Sequence, residues 1–380
     1  MSVVIKKTAF AVMLVCLSSG LLFSQENSRG IDFDPLTFEN AVAKAKSESK
    51  LIFIDCYADW CGPCKVLDRD FFTDENVGDF YNQYFVNLKM NMEKEEGLKL
   101  LKRYSVGAYP TLLFINPHTL DVIYRLVGVG KDVDWLIDGG KSALDPKQNL
   151  ASLKEYFNHN SRNAAAAKAY MSGLTTSHYM KEKDEVLSSY LTNVPKESLY
   201  NIANWDILNS FVTSAKGDNF IFLLNNADGF KGVVDGAVVD KKIDDLFRTA
   251  TLGFIYRKRV PENQFVQEDF NSLKILLEKY GSTNAAYYLA QLRMIDKVQE
   301  GNYMGMLSEM DKSLNSKGVV AKRDETYFIW LNLAYLFDCG DIEAVDEGLK
   351  WVEHIKPVDE RGMEPWMGLK KRLISAKGGN

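Results

Sequence analysis

Residues 51–65 read Leu51-Ile52-Phe53-Ile54-Asp55-Cys56-Tyr57-Ala58-Asp59-Trp60-Cys61-Gly62-Pro63-Cys64-Lys65. The first seven form an apolar run of the length and composition of a buried strand. Just beyond it stand two cysteines separated by two residues. Gly62 lets the chain turn tightly, and Pro63 suits an early helical position. The stretch is therefore expected to be a strand that turns into a helix, with a dithiol at the junction. Free backbone N–H groups and the helix dipole at such a junction favour a thiolate at Cys61. Thiol–disulfide exchange needs one thiolate that a partner can reach and a second to resolve the mixed disulfide. Cys61 is expected to be the exposed, attacking thiol. Cys64, about one helical turn on, is expected to be the protected, resolving one. Asp55 is the anomaly of the run. Burial would raise its pKa and let it exchange a proton at neutral pH. A strand-end carboxylate facing solvent or capping a helix is the other reading.

A second fixed point is Tyr109-Pro110-Thr111, directly before the apolar run Leu112-Leu113-Phe114-Ile115. With these segments, residues from about 33 to 143 resemble the thioredoxin family. Asp55 to Lys65 matches the family's active-site segment, Tyr109-Pro110-Thr111 its cis-proline loop, and Gly128 a glycine after its last strand. The resemblance is to exported bacterial thioredoxin-like proteins, including those similar to the C-terminal domain of the membrane thiol reductase. It implies that Pro110 is cis and faces the dithiol, and that Tyr109 offers backbone groups to an incoming chain. It also implies that Asp55 lies beneath Cys64, with catalysis resting on Cys61, Cys64 and Asp55. Trp60, Gly62, Pro63, Tyr109 and Pro110 would then form the substrate-binding rim, Trp60 giving a flat apolar contact. No cofactor is expected beyond the cysteine pair. Two positions depart from the family: Tyr109 is bulkier than its commoner Ile or Thr, and Cys56 stands where an aromatic is usual. The resemblance covers under a third of the chain.

Periodicity extends the fold outward. Residues 36–46 read as a helix, and a helix from Cys64 carries Val66, Leu67 and Phe71. Residues 84–90 read as a strand, and 93–104 as a helix with Leu98, Leu101 and Tyr104 on one face. Strands at 111–115 and 122–127 flank a turn at Asn116-Pro117-His118, and a helix over 132–141 closes the region. The expected fold is an α/β thioredoxin-like domain, a mixed sheet flanked by helices, over 31–145.

Residues 150–380 change character. Helical periodicity dominates, as in the stripe Phe270, Leu273, Leu277 and Tyr280, with one short strand-or-turn candidate at 232–239. Turn signals recur at Lys216-Gly217-Asp218, Gly301-Asn302-Tyr303 and Gly340-Asp341-Ile342. This all-α region weakly resembles a tetratricopeptide-like array, whose period is about 34 residues. An irregular helical domain is the other reading.

The N-terminus carries Lys6 and Lys7, an apolar core, and small residues up to Ser24. That is the pattern of a signal peptide over 1–24, cleaved near Ser24, and export to the periplasm; a single membrane anchor is the other reading. Cleavage would remove one of the five cysteines, Cys16, leaving Cys56, Cys61, Cys64 and Cys339. Four cysteines make no disulfide framework, and Cys56 and Cys339 read as small buried hydrophobes. The 46 basic side chains face 51 acidic ones, a balance that argues against a nucleic-acid partner. No metal is expected: structural zinc takes about four ligands, and the histidines at 118, 159, 178 and 354 are scattered.

The expected function is an exported thiol–disulfide oxidoreductase that reduces client-protein disulfides through Cys61 and Cys64. A thiol oxidase or isomerase, or an interaction protein with a static disulfide, are the alternatives. In an oxidising compartment a reductase needs an electron donor, for which a membrane thiol protein is the natural source.

Overall fold

The computed structural model describes residues 30–259, 265–354 and 360–378. The leader read at 1–24 lies outside them. The chain divides into two compact units, one ending at Asn149 and the next beginning at Leu150.

The first unit is a four-stranded sheet between two helical layers. Thr37 caps helix α1 (Phe38–Glu48), its hydroxyl accepting from the Asn40 N–H at 3.3 Å. Strand β1 (Leu51–Tyr57) follows and occupies the interior of the sheet. Helix α2 (Gly62–Val66) runs into a π-type turn, Leu67–Phe71, and helix α3 (Glu75–Tyr84) leads to strand β2 (Phe85–Asn91). Helix α4 (Glu95–Arg103), strands β3 (Thr111–Ile115) and β4 (Val122–Val127), and helix α5 (Val133–Leu144) complete the unit. The spatial order is β2-β1-β3-β4. β1 runs parallel to β2 and antiparallel to β3, and β3 pairs antiparallel with β4.

Strand alternation sorts β1 between the layers. Ile52, Ile54 and Cys56 pack with Phe38 and Ala41 of α1 and Leu100 of α4. Phe53 packs on the other side, with Tyr81 of α3 and Leu136 of α5. Both faces are covered, so β1 reads as a continuous apolar run.

The helix read from Cys64 through Phe71 forms, as α2 and the π-type turn. The sequence reading missed α3, which the Asp74 carboxylate starts by accepting the Asn76 and Val77 N–H groups (2.9 and 3.1 Å). One local reading needs correction. Leu98 does not share the buried face of α4 and is exposed; Gly97 and Leu100 are buried instead. The helix seats its glycine against the chain, since a Cβ at Gly97 would stand 1.9 Å from the Asn91 carbonyl oxygen.

The second unit is α-helical, with short 3-10 turns. It comprises α6 (Leu150–His159), α7 (Ala164–Thr176), α8 (Met180–Asn193), α9 (Ile202–Phe211), α10 (Gly217–Lys231) and α11 (Gly236–Arg259). It continues through α12 (Gln267–Tyr280), α13 (Ala285–Gln299), α14 (Tyr303–Asn315), α15 (Glu325–Leu333), α16 (Ile342–His354) and α17 (Glu360–Gly378). Chain neighbours pack on each other, among them α6 on α7, α13 on α14 and α16 on α17. Gly217, Gly301 and Gly340 take φ of 76°, 69° and 70° at the three expected turns, a conformation that costs other residues more. Residues 232–235 form a turn and Gly236 opens α11, so no strand forms there.

Candidate active site

Cys61 and Cys64 are joined as a disulfide, with S–S 2.04 Å and Cα atoms 5.4 Å apart. Cys61 caps α2: its backbone N–H donates to the Ala58 carbonyl (3.0 Å) and its sulfur accepts the Cys64 N–H at 3.1 Å. An N–H aimed at a sulfur favours its thiolate once the bond is reduced. The expectation of an exposed Cys61 is not met in this oxidised state. Cys61 and Cys64 are 1% and 2% exposed, packed with Ala58 and against Tyr57 and Tyr109. Sequence alone could not show this cover, because Tyr109 comes from a different loop.

That loop lies between α4 and β3, and its Tyr109–Pro110 bond is cis. The Pro110 carbonyl accepts from the Gly128 N–H at 2.9 Å, and the Thr111 hydroxyl donates to the Ala108 carbonyl at 2.8 Å. Trp60 is 69% exposed, and its ring meets Tyr109 edge-on at 5.8 Å. The Trp60 indole donates to both carboxylate oxygens of Glu93, at 3.0 and 3.1 Å. Beside it the Asp59 carboxylate accepts from Lys94 (2.6 Å) and Asn91 (2.8 Å). The Lys94 hydrogen bond holds the Asp59 carboxyl below its ordinary pKa. The segment between β2 and α4 thus fixes the residues preceding the cysteines. Gly62 and Pro63 are exposed at the start of α2, and Pro110 is buried.

Asp55 is fully buried, and neither carboxylate oxygen accepts a hydrogen bond within the protein. It therefore makes no direct hydrogen bond to either cysteine. Burial pushes its pKa to about 7; Lys89 opposes the rise and Asp68 adds to it. The Lys89 ammonium stands 3.7 Å from Asp55, beyond hydrogen-bond reach, and donates to Asp68 instead. It lies over the rings of Tyr57 (5.1 Å), Phe72 (5.7 Å) and Phe33 (5.8 Å). Lys89 leaves the buried carboxyl only partly compensated, which keeps it protonatable at neutral pH.

Cys56 is buried on the opposite side of β1 from Asp55, and burial pushes its thiol pKa well up. Cys339 is half-buried, and burial raises its pKa too. Neither has the environment of a ready nucleophile. Among the described residues, no group of three or more His, Cys, Asp or Glu side chains gathers to hold a metal. Sequence reasoning missed Glu93, Lys89, Asp68 and Arg125. Arg125 is buried on β4 and donates to the Tyr104 and Ser105 carbonyls at the end of α4. No local pattern marks these four, since each acts on residues far away in the chain.

A family model described as thioredoxin-like matches residues 34–117. Thioredoxin-T of Drosophila melanogaster is 35% identical over 86 residues, covering 23% of this chain and 50% of that protein. The thiol:disulfide interchange protein DsbD of Pseudomonas fluorescens is 29% identical over 84 residues, covering 22% of this chain and 14% of that protein. A solved structure of a putative disulphide-isomerase from Bacteroides thetaiotaomicron is 50% identical, covering 30% of this chain and 94% of that one, with a TM-score of 0.28. The chain therefore spans half or less of the length of these two curated relatives. The first unit has a thioredoxin-like fold and is similar in sequence to bacterial disulfide-interchange proteins, and an all-α unit follows it.

Proposed function

We propose that this chain is an exported thiol–disulfide oxidoreductase that reduces disulfides of client proteins. The observation that carries the reading is the Cys61–Cys64 disulfide at the start of α2, with the Cys64 N–H on the Cys61 sulfur and the Tyr109–Pro110 loop packed against the pair. In the reduced protein the Cys61 thiolate attacks a client disulfide, forming a mixed disulfide and releasing one client thiolate. The Cys64 thiolate then attacks the Cys61 sulfur. The Cys61–Cys64 disulfide forms, the second client sulfur leaves, and two electrons have passed to the client. Asp55, with a pKa of about 7, accepts the Cys64 proton as that thiol becomes a nucleophile.

Tyr109 packs against the cluster of Ala58, Cys61 and Cys64, so a client that reaches Cys61 meets it there. Trp60, Gly62, Pro63 and the Tyr109–Pro110 backbone then receive the client segment. A membrane thiol protein restores the dithiol. In this reading residues 1–24 are a leader to the periplasm, 31–145 the redox domain, and 150–380 a helical, repeat-like domain that contacts clients away from the sulfurs.

Turbidity from insulin reduction with dithiothreitol tests the proposal. The protein should speed precipitation well above the uncatalysed rate. A rate equal to the control would leave a static disulfide in an interaction protein.

A further inference from the structure

The buried arginine of β4 has no part in the chemistry above, yet it stands where the client-facing loop begins. Arg125 is 4% exposed. Its guanidinium donates from one nitrogen to the Tyr104 carbonyl and from another to the Ser105 carbonyl, at 3.4 Å for the latter. Helix ends leave carbonyls without intrahelical partners, and a buried carbonyl needs one. The loop from Ser105 to Pro110 starts at these two carbonyls. Ser105 takes φ of 50°, so the chain reverses sharply at the point the guanidinium holds. The far end of the loop is fixed by Gly128 N–H on the Pro110 carbonyl, three residues along from Arg125. Gly107 and Ala108, between the two anchors, are exposed. Tyr109, next in line, packs against the dithiol.

We propose that Arg125 is a positioning residue for client recognition: by holding the Tyr104 and Ser105 carbonyls it sets where the Tyr109–Pro110 backbone stands beside the dithiol. The inference rests on the reading that this loop receives clients. A planar guanidinium can serve two carbonyls at once, whereas an ammonium offers a point charge and a methionine offers nothing. The loop matters to a polypeptide client that lies along it. A small disulfide that touches only the sulfurs does not need it.

The test compares the full chain with Arg125→Met and Arg125→Lys on two oxidants of the reduced protein: insulin, and 5,5′-dithiobis(2-nitrobenzoate). Arg125→Met should raise KM for insulin about tenfold, the scale of one lost contact. Its rate with the small disulfide should stay within about twofold of the parent. Arg125→Lys should recover part of the insulin KM. Equal losses on both substrates, or an unchanged insulin KM, would overturn the proposal. Amide hydrogen exchange gives a readout that needs no activity. Residues 106–109 should exchange faster in Arg125→Met, while β1 and β3 keep their protection. Unchanged exchange in that loop would overturn the anchoring even if the protein reduces nothing. Faster loop exchange in an otherwise inactive protein would instead count against the thiol-reductase reading alone.

Discussion

Two buried aspartates, one in each unit, are treated in opposite ways. Asp244 of α11 accepts from the Asn284 backbone N–H (2.9 Å), the Asn284 side-chain amide (2.8 Å) and the Tyr288 hydroxyl (2.8 Å). Asp55 of β1 accepts no hydrogen bond, and its nearest cation stands 3.7 Å away, engaged with another carboxylate. A buried carboxylate with its acceptors filled ties helices together. One left uncompensated lowers the stability of the fold and gains a pKa near neutrality, which is of use to proton transfer. In the second unit the buried carboxyl serves the architecture. In the first it stays without hydrogen bonds, on the strand that leads to the Cys61–Cys64 disulfide.

Changing the sulfurs should have the largest effect. Cys61→Ser should abolish insulin reduction, and Cys64→Ala should trap the client as a mixed disulfide visible on a non-reducing gel. Activity surviving in Cys61→Ser would detach the chemistry from this site.

The aspartates should then separate. The folded pKa of Asp55, about 7, lies above its ordinary 3.8. Between these values the native state holds a proton that the unfolded chain has lost, so stability falls as pH rises through this window. Asp55→Asn removes the penalty. It should stabilise the protein at pH 8 by up to about 4 kcal/mol and add nothing below about pH 4, as read by urea unfolding. Stopped-flow traces should show slower release of the mixed disulfide with little change in initial attack. Asp244→Ala should do the reverse. It removes the carboxylate acceptor of three donors and should destabilise the second unit by about 2–4 kcal/mol with the redox rates intact. If both substitutions move stability in the same direction, the contrast fails.

A smaller change is expected at the rim. Glu93→Gln weakens the tie on the Trp60 indole and should raise KM for insulin about threefold, with the rate on a small disulfide unchanged. The smallest effect should come from removing residues 150–380 and assaying a small disulfide, where the rate should be nearly equal. A trapped native client should lose rate clearly in the same comparison. Equal rates on the client would leave the helical unit without a part in catalysis.

Much of the first unit could be read from its residues, because burial on both faces makes β1 and β3 continuous apolar runs and the cysteine spacing is local. The ties that shape the site could not. Trp60 meets Glu93, and Arg125 meets Tyr104, only after the sheet assembles. Leu98 misled because spacing alone does not say which face of α4 turns inward, a choice made by Gly97 against Asn91. In the second unit the turn glycines were legible, but the partners of Asp244 lie on another helix and left no mark near it.

The central claim is that Cys61 is the attacking thiol and Cys64 the resolving one. Alkylation of the reduced full-length protein across pH, read residue by residue by mass spectrometry, tests it most directly. Cys61 should be labelled fastest, with a midpoint below the ordinary thiol value of about 8.5, while Cys64 and Cys56 lag behind. Faster labelling of Cys64, or a Cys61 midpoint at or above the ordinary value, would contradict the account.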